Sequence, residues 1–285
     1  MKKRLLKILH IIVLSFFVFS TVGVQIAMAN NNVGTMINME EGDIQDSPFS
    51  DGGTIKALDF TSWDDIVNVG NDASLSITDK LSFVAWVECG NQSTRDHIAS
   101  KYSAGQSAWL WRTYTQTGGA RKLELLVIDN GTGGAGHTKL WYTTDDVLPV
   151  SGWAQVAFTF DGGVIKMYVN GIEITDFTKT SDDAITTIFD STADLYIGNF
   201  TDTYSWVGDL TNVSIWDTAV LTQTDITNLY NSGNGLNPAS ISPTGGADLV
   251  SSWLWNTSLT QPYLIIHTYH KGFQNFQPML IYSLF

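Results

Sequence analysis

Two short stretches carry the residue types that could do chemistry. "SAWLWRTYTQ" (107–116) places Trp109 and Trp111 on one face of a strand, and Arg112 and Tyr114 on the other. "FTDTYSWVGD" (200–209) brings Tyr204 and Trp206 into a loop. Exposed aromatic rings stack on the apolar faces of sugars, and neighbouring Asp, Asn or Arg groups hydrogen-bond hydroxyls. Trp109, Trp111, Tyr114, Tyr204 and Trp206 are therefore the candidate ligand-binding residues, with core packing the competing use of the same rings. Trp86, Trp153 and Trp216 fall within regular strands, where packing is the default.

Hydrolytic chemistry finds little material. Cleaving a glycosidic bond needs two carboxylates placed across it. The five glutamates are Glu40, Glu41, Glu88, Glu124 and Glu173, and none opens an alternating acidic pattern along a strand. There is no Gly-x-Ser-x-Gly and no His-Glu-x-x-His. His97 and His137 stand forty residues apart and read as solvated or strand-edge residues. The Gly-rich "IDNGTGGAGHTK" (128–139) is followed by strand-like sequence rather than a helix, so it is a hairpin loop and not a phosphate cradle. No catalytic residue is expected.

The elements that must position such residues are short strands. "GWAQVAFTFD" (152–161) alternates, and "GVIKMYVNG" (163–171) follows at once. Asp161-Gly162-Gly163 is one turn and Asn170-Gly171 the next, the latter suited to a type I′ hairpin. Strands at 153–160, 164–169 and 172–177 thus form an antiparallel meander. "KLSFVAWVE" (80–88) reads as a strand buried on both faces. Further strands are expected at 54–60, 65–69, 97–101, 107–115, 121–129, 137–143, 194–198 and 207–216, at a spacing that indicates an all-β sandwich. One helix is expected after Thr222, its N-cap, with Asp225 three residues on and Gly233 beyond its end.

Residues 1–29 have a charged start, an apolar run and Ala27-Met28-Ala29, the layout of a cleaved secretory signal. Its removal takes four cations and no acid, moving the net charge from −13 to −17. Such a surface repels nucleic acid and anionic membranes, and no later stretch is apolar enough to span a bilayer. Cys89 is the only cysteine, so no intrachain disulfide forms. Residues 30–53 are polar and read as a flexible leader, 54–256 as the sandwich, and 257–285 as an atypical aromatic tail without acids. Asn91, Asn130, Asn199, Asn212 and Asn256 begin Asn-x-Ser/Thr sequons.

Four stretches together resemble one family. "ALDFTSWDDIVNVGNDASLSITDKLSFVAWV" (57–87) is similar to the opening of laminin G-like domains of the concanavalin A-like lectin/glucanase superfamily. "SGWAQVAFTFDGGVIKMYVNGIEI" (151–174) resembles their central meander. "LYIGN" (195–199) and "WVGDLTNVSIWDTAVLTQTDITNLYNSG" (206–233) resemble their closing strands and helix. The resemblance implies a jelly-roll β-sandwich of two antiparallel sheets, a secreted or surface location, and non-catalytic ligand binding, often of carbohydrate. It also implies a possible structural calcium, with Asp64 and Asp65 matching an early acidic pair. Thr211 and Asn212 stand where the family's closing strand usually carries acids, which weakens the calcium expectation. The resulting expectation is a secreted module that binds carbohydrate or a glycoconjugate. The alternative is a structural or adhesive protein of a cell or virion surface without a specific sugar pocket.

Overall fold

The two tight turns of the meander set the direction of the chain. Asn170 and Gly171 both take positive φ (51° and 75°), as a type I′ turn requires. Around this meander the computed structural model describes residues 24–27, 36–39, 44–46, 55–61, 65–89, 95–114, 121–180, 184–198, 204–257, 264–270 and 277–281.

The strands in chain order are β1 (Val24–Ala27), β2 (Met36–Met39), β3 (Ile44–Asp46), β4 (Ile55–Phe60), β5 (Ile66–Gly70), β6 (Lys80–Cys89) and β7 (His97–Lys101). Then come β8 (Ser107–Tyr114), β9 (Lys122–Gly131), β10 (Thr138–Thr143), β11 (Trp153–Asp161), β12 (Val164–Val169), β13 (Ile172–Ile174) and β14 (Phe177–Lys179). The last are β15 (Leu195–Ile197), β16 (Gly208–Asp217), β17 (Asp248–Thr257), β18 (Leu264–His270) and β19 (Gln277–Ile281). Helix α1 spans Gln223–Tyr230.

These strands form two antiparallel sheets, a jelly-roll sandwich. The first runs β1-β2-β5-β15-β7-β8-β9-β10-β14. The second runs β13-β12-β11-β6-β16-β4-β17-β18-β19, with β3 on β4. The expected single strand 172–177 is in fact two. Ile172–Ile174 pairs with β12 in the second sheet, and Phe177–Lys179 pairs with β10 in the first, so the chain crosses between sheets there. β17, which runs up to and just past the expected boundary at 256, was not among the expected strands.

The core lies between the sheets. Phe83, Phe158 and Trp111 meet at its centre, with Phe83 and Phe158 stacked at 5.8 Å and Trp111 5.1 Å from Phe158. A second apolar cluster covers the far face of the second sheet. There Ile226 and Leu229 of α1 pack on Val84, Ala157, Tyr168 and Trp216, and Tyr230 stacks on Trp86 at 5.7 Å. The helix is anchored by a capping box, in which Thr222 and Asp225 satisfy each other's backbone N–H groups. Asp225 also accepts from the Thr244 N–H at 2.8 Å. The far face of the second sheet is thus covered at β6, β11, β12 and β16, while the outer face of the first sheet carries a row of polar side chains.

Candidate functional site

Alternation along β8 and β9 settles which side chains face out. Trp109, Trp111, Leu123 and Leu125 belong to the core cluster. Arg112, Tyr114, Lys122 and Glu124 therefore stand on the opposite face. Strand register aligns four residues across that face: His97 opposite Arg112, Arg112 opposite Glu124, and Glu124 opposite Tyr142.

The row is buried although it lies on an outer face. Glu124 and His97 are 0% exposed and Arg112 is 9% exposed. Both Nε and Nη2 of Arg112 donate to Glu124 Oε1. Its Nη1 sits 3.4 Å from His97 Nε2. A guanidinium has only donors, so Nε2 must be the acceptor and the ring proton resides on Nδ1. Burial, with the neighbouring Arg112 cation, pushes the His97 pKa down to about 3, so the ring is neutral at physiological pH. Burial also lowers Arg112, and the Glu124 carboxylate opposes that effect.

Aromatic rings and a second arginine surround the row. Tyr114 and Tyr142 meet at 5.5 Å with a 49° tilt. The Tyr204 ring meets His97 edge-on at 5.6 Å, and its carbonyl accepts from the His97 N–H at 3.0 Å. Arg95 lies 5.5 Å from the Tyr114 centroid and 3.9 Å from Glu124 Oε1. The three tyrosines are half-buried, so each keeps an accessible part on this face. The arrangement offers apolar ring surface beside fixed donors and acceptors.

The structure divides the five aromatic candidates. Tyr114 and Tyr204 come to this site. Trp109, Trp111 and Trp206 do not: they are 3%, 0% and 0% exposed and all belong to the core. The expectation that their rings meet a ligand is corrected: alternation turns the shared face of Trp109 and Trp111 toward the other sheet, and Trp206, outside any strand, packs into the same core. His97, expected to be solvated or at a strand edge, is instead fully buried beside Arg112. His97, Glu124, Tyr142 and Arg95 were missed because each looks ordinary alone, and only cross-strand register unites them. The one available signal was a pair of charges, Arg112 and Glu124, set into otherwise apolar strands.

The calcium expectation named Asp64 and Asp65. Asp64 lies outside the described residues. Asp65 is 3% exposed, and its Oδ2 accepts from the Thr61 N–H at 2.8 Å. No three His, Cys, Asp or Glu residues among the described residues assemble to hold a metal ion.

Carboxylates do gather on the second sheet, where Asp209 of β16 lies in register between Asp59 of β4 and Glu88 of β6. Burial, then the charges of Asp59 and Glu88, pushes the Asp209 pKa up to about 7. A pKa raised on folding stabilises the fold fully below the unfolded value, and that stability is lost as pH rises through about 7. Discounted for partial exposure, the contribution is about 1–2 kcal/mol, or roughly 3–6 °C in Tm. Wild-type Tm, measured in chelator, should fall by that amount between pH 5 and pH 8. Asp209→Asn should flatten the profile and melt higher than wild type at pH 8.

Comparison with known proteins agrees with this architecture. The family model Laminin_G_3, described as the concanavalin A-like lectin/glucanases superfamily, matches residues 61–227, more than half of the chain. The chain belongs to this superfamily. No curated protein matches the laminin G-like chain. Among solved structures, a Bacteroides ovatus protein assigned to carbohydrate binding is 18% identical, with TM-score 0.51, covering 85% of this chain and 66% of that one. Domain 4 of an extracellular arabinanase from Geobacillus stearothermophilus, in complex with arabinotriose, is 20% identical, with TM-score 0.43, covering 70% and 89%. The sialidase carbohydrate-binding domain of Ruminococcus gnavus, bound to α2,3 sialyllactose, is 13% identical, with TM-score 0.44, covering 61% and 96%. At these identities the likeness concerns the fold.

Proposed function

We propose that this laminin G-like domain is a secreted, non-catalytic carbohydrate-binding module. Its ligand lies on the outer face of the first sheet, against Tyr114, Tyr142 and Tyr204. The observation that carries the reading is the set of half-buried tyrosine rings around the Arg112–Glu124–His97 row. Rings give stacking surface, and the buried row holds the surrounding polar groups in fixed positions. The Bacteroides ovatus protein of the same fold, assigned to carbohydrate binding, adds support. The signal-like residues 1–29 and the acidic remainder support export. A non-catalytic role is supported by the site's acids. Among the described residues, Glu124 is the carboxylate there, and Arg112 holds it, whereas glycoside hydrolysis uses two.

The test is a glycan array probed with the full chain, followed by titration of the best hit. Tyr114→Ala and Tyr142→Ala should each weaken binding about 10-fold, from roughly 1–1.5 kcal/mol of stacking per ring. Wild-type affinity in both variants would remove the site from the account. Binding to cells or protein that free sugar does not compete would favour the structural or adhesive alternative.

A further inference from the structure

The charges of the site are not balanced. Arg112 is committed: its Nε and Nη2 bind Glu124 Oε1, and Nη1 faces His97. Glu124 and Arg112 therefore cancel, and His97 is neutral. Arg95 is left over. Its side chain is 44% exposed, and its guanidinium stays 3.9 Å from Glu124 Oε1, outside hydrogen-bond range of an oxygen that Arg112 already occupies. It is held in place by the Tyr114 ring beneath it, at 5.5 Å. Lys122, in register with Tyr114, adds a second positive charge on the same face, with its Nζ donating to the Thr144 carbonyl.

The field around the row reflects this excess. Arg112 and Arg95, both cations, each push the His97 pKa down. Against a whole-chain charge of −13, a local surplus of cation on an aromatic platform is an unusual allocation. A guanidinium is planar and forked, and its parallel donors match a carboxylate.

Resting on the carbohydrate-binding reading above, the geometry points to a ligand that carries a carboxylate: an acidic sugar whose ring lies on Tyr114 and whose carboxylate is taken by Arg95. The remaining hydroxyls fall to the tyrosine O–H groups. A neutral sugar would leave Arg95 with only the Glu124 carboxylate, 3.9 Å away and already held by Arg112.

The test pairs acids with their neutral counterparts. The full chain is titrated with galacturonate oligosaccharides and the same oligosaccharides after carboxyl reduction, with alginate oligosaccharides, with sialyllactose against lactose, and with inorganic phosphate. At least one acidic probe should bind 10-fold or more tightly than its neutral counterpart, with the preference shrinking as salt rises. Arg95→Gln should reduce the acid to the affinity of the neutral sugar, with Tm unchanged, and Arg95→Lys should keep part of the preference. Equal binding of acid and reduced sugar overturns the inference while leaving the carbohydrate reading intact. So does a preference that survives Arg95→Gln, or binding confined to neutral glycans. Phosphate that competes as well as the acidic sugar overturns it too, by showing a simple anion site. Failure of every glycan, neutral and acidic, overturns the carbohydrate reading and this inference with it.

Discussion

Replacing Arg112 with leucine should lower the melting temperature by about 10 °C. Glu124 is 0% exposed, and its Oε1 takes two donors from Arg112. Its Oε2 has no hydrogen-bond partner among the described residues. Removing the guanidinium leaves a buried carboxylate without its compensating charge, at a cost of about 3–5 kcal/mol. For a domain of this size each kcal/mol is worth roughly 2–4 °C. The double variant Arg112→Leu/Glu124→Leu should recover most of the loss, because a buried ion pair exchanged for apolar groups is often neutral. Calorimetry of the two variants at pH 7 checks this. A single variant within 2 °C of wild type would show that Glu124 is solvated. By this account the row is costly to bury, and its return is position: it fixes the strand face on which Arg95 and the tyrosines stand.

Gly198→Ala should be nearly as damaging. Gly198 has φ +81°, and a Cβ there would lie 2.0 Å from Cε1 of Phe60, which is 0% exposed in the core. The backbone around it is also fixed. Its N–H donates to the Ile98 carbonyl at 3.0 Å, and its carbonyl accepts from the Trp206 N–H at 2.7 Å. Neither the ring nor the glycine can yield without moving a strand. The expected cost is about 3 kcal/mol or more, from overpacking and a left-handed backbone together. The matched control is Gly134→Ala, where φ is +102° but the Cβ meets open space. It should cost only about 1 kcal/mol. Equal losses in the two variants would mean that the Phe60 contact relaxes. Because the Gly198 carbonyl also holds the Trp206 N–H, two residues beyond Tyr204, Gly198→Ala should weaken ligand binding as well as stability.

Much of the sandwich could be read from local signals. The β11–β12–β13 meander follows from two turns whose residues can adopt only a few conformations. Helix α1 follows from Thr222, Asp225 and the apolar pair Ile226 and Leu229. What local pattern cannot give is the sheet to which a strand belongs. Phe177–Lys179 continues the sequence of β13 yet pairs with β10, because a crossing between layers leaves no mark on alternation. The site shows the same limit. Tyr114 stood out on a strand face beside Arg112 and Tyr204 in a loop, and the structure brings both to one site. Trp109 and Trp111 stood out equally and turned inward, because both faces of "SAWLWRTY" carry large side chains and only the opposing sheet decides which is covered. The His97–Arg112–Glu124 row depends on register across three strands, so no single stretch could announce it.

The most direct measurement of the central claim is a ligand footprint. The full chain is held with a saturating oligosaccharide from the array, and backbone hydrogen exchange is compared with and without it. The account predicts slowed exchange at residues 95–97, 112–114, 122–124, 142 and 204–206, and unchanged exchange at α1 and β12–β13. Protection at α1 and its neighbouring turn Asn170-Gly171 instead, with residues 112–124 unaffected, would contradict it and place the sugar on the other sheet.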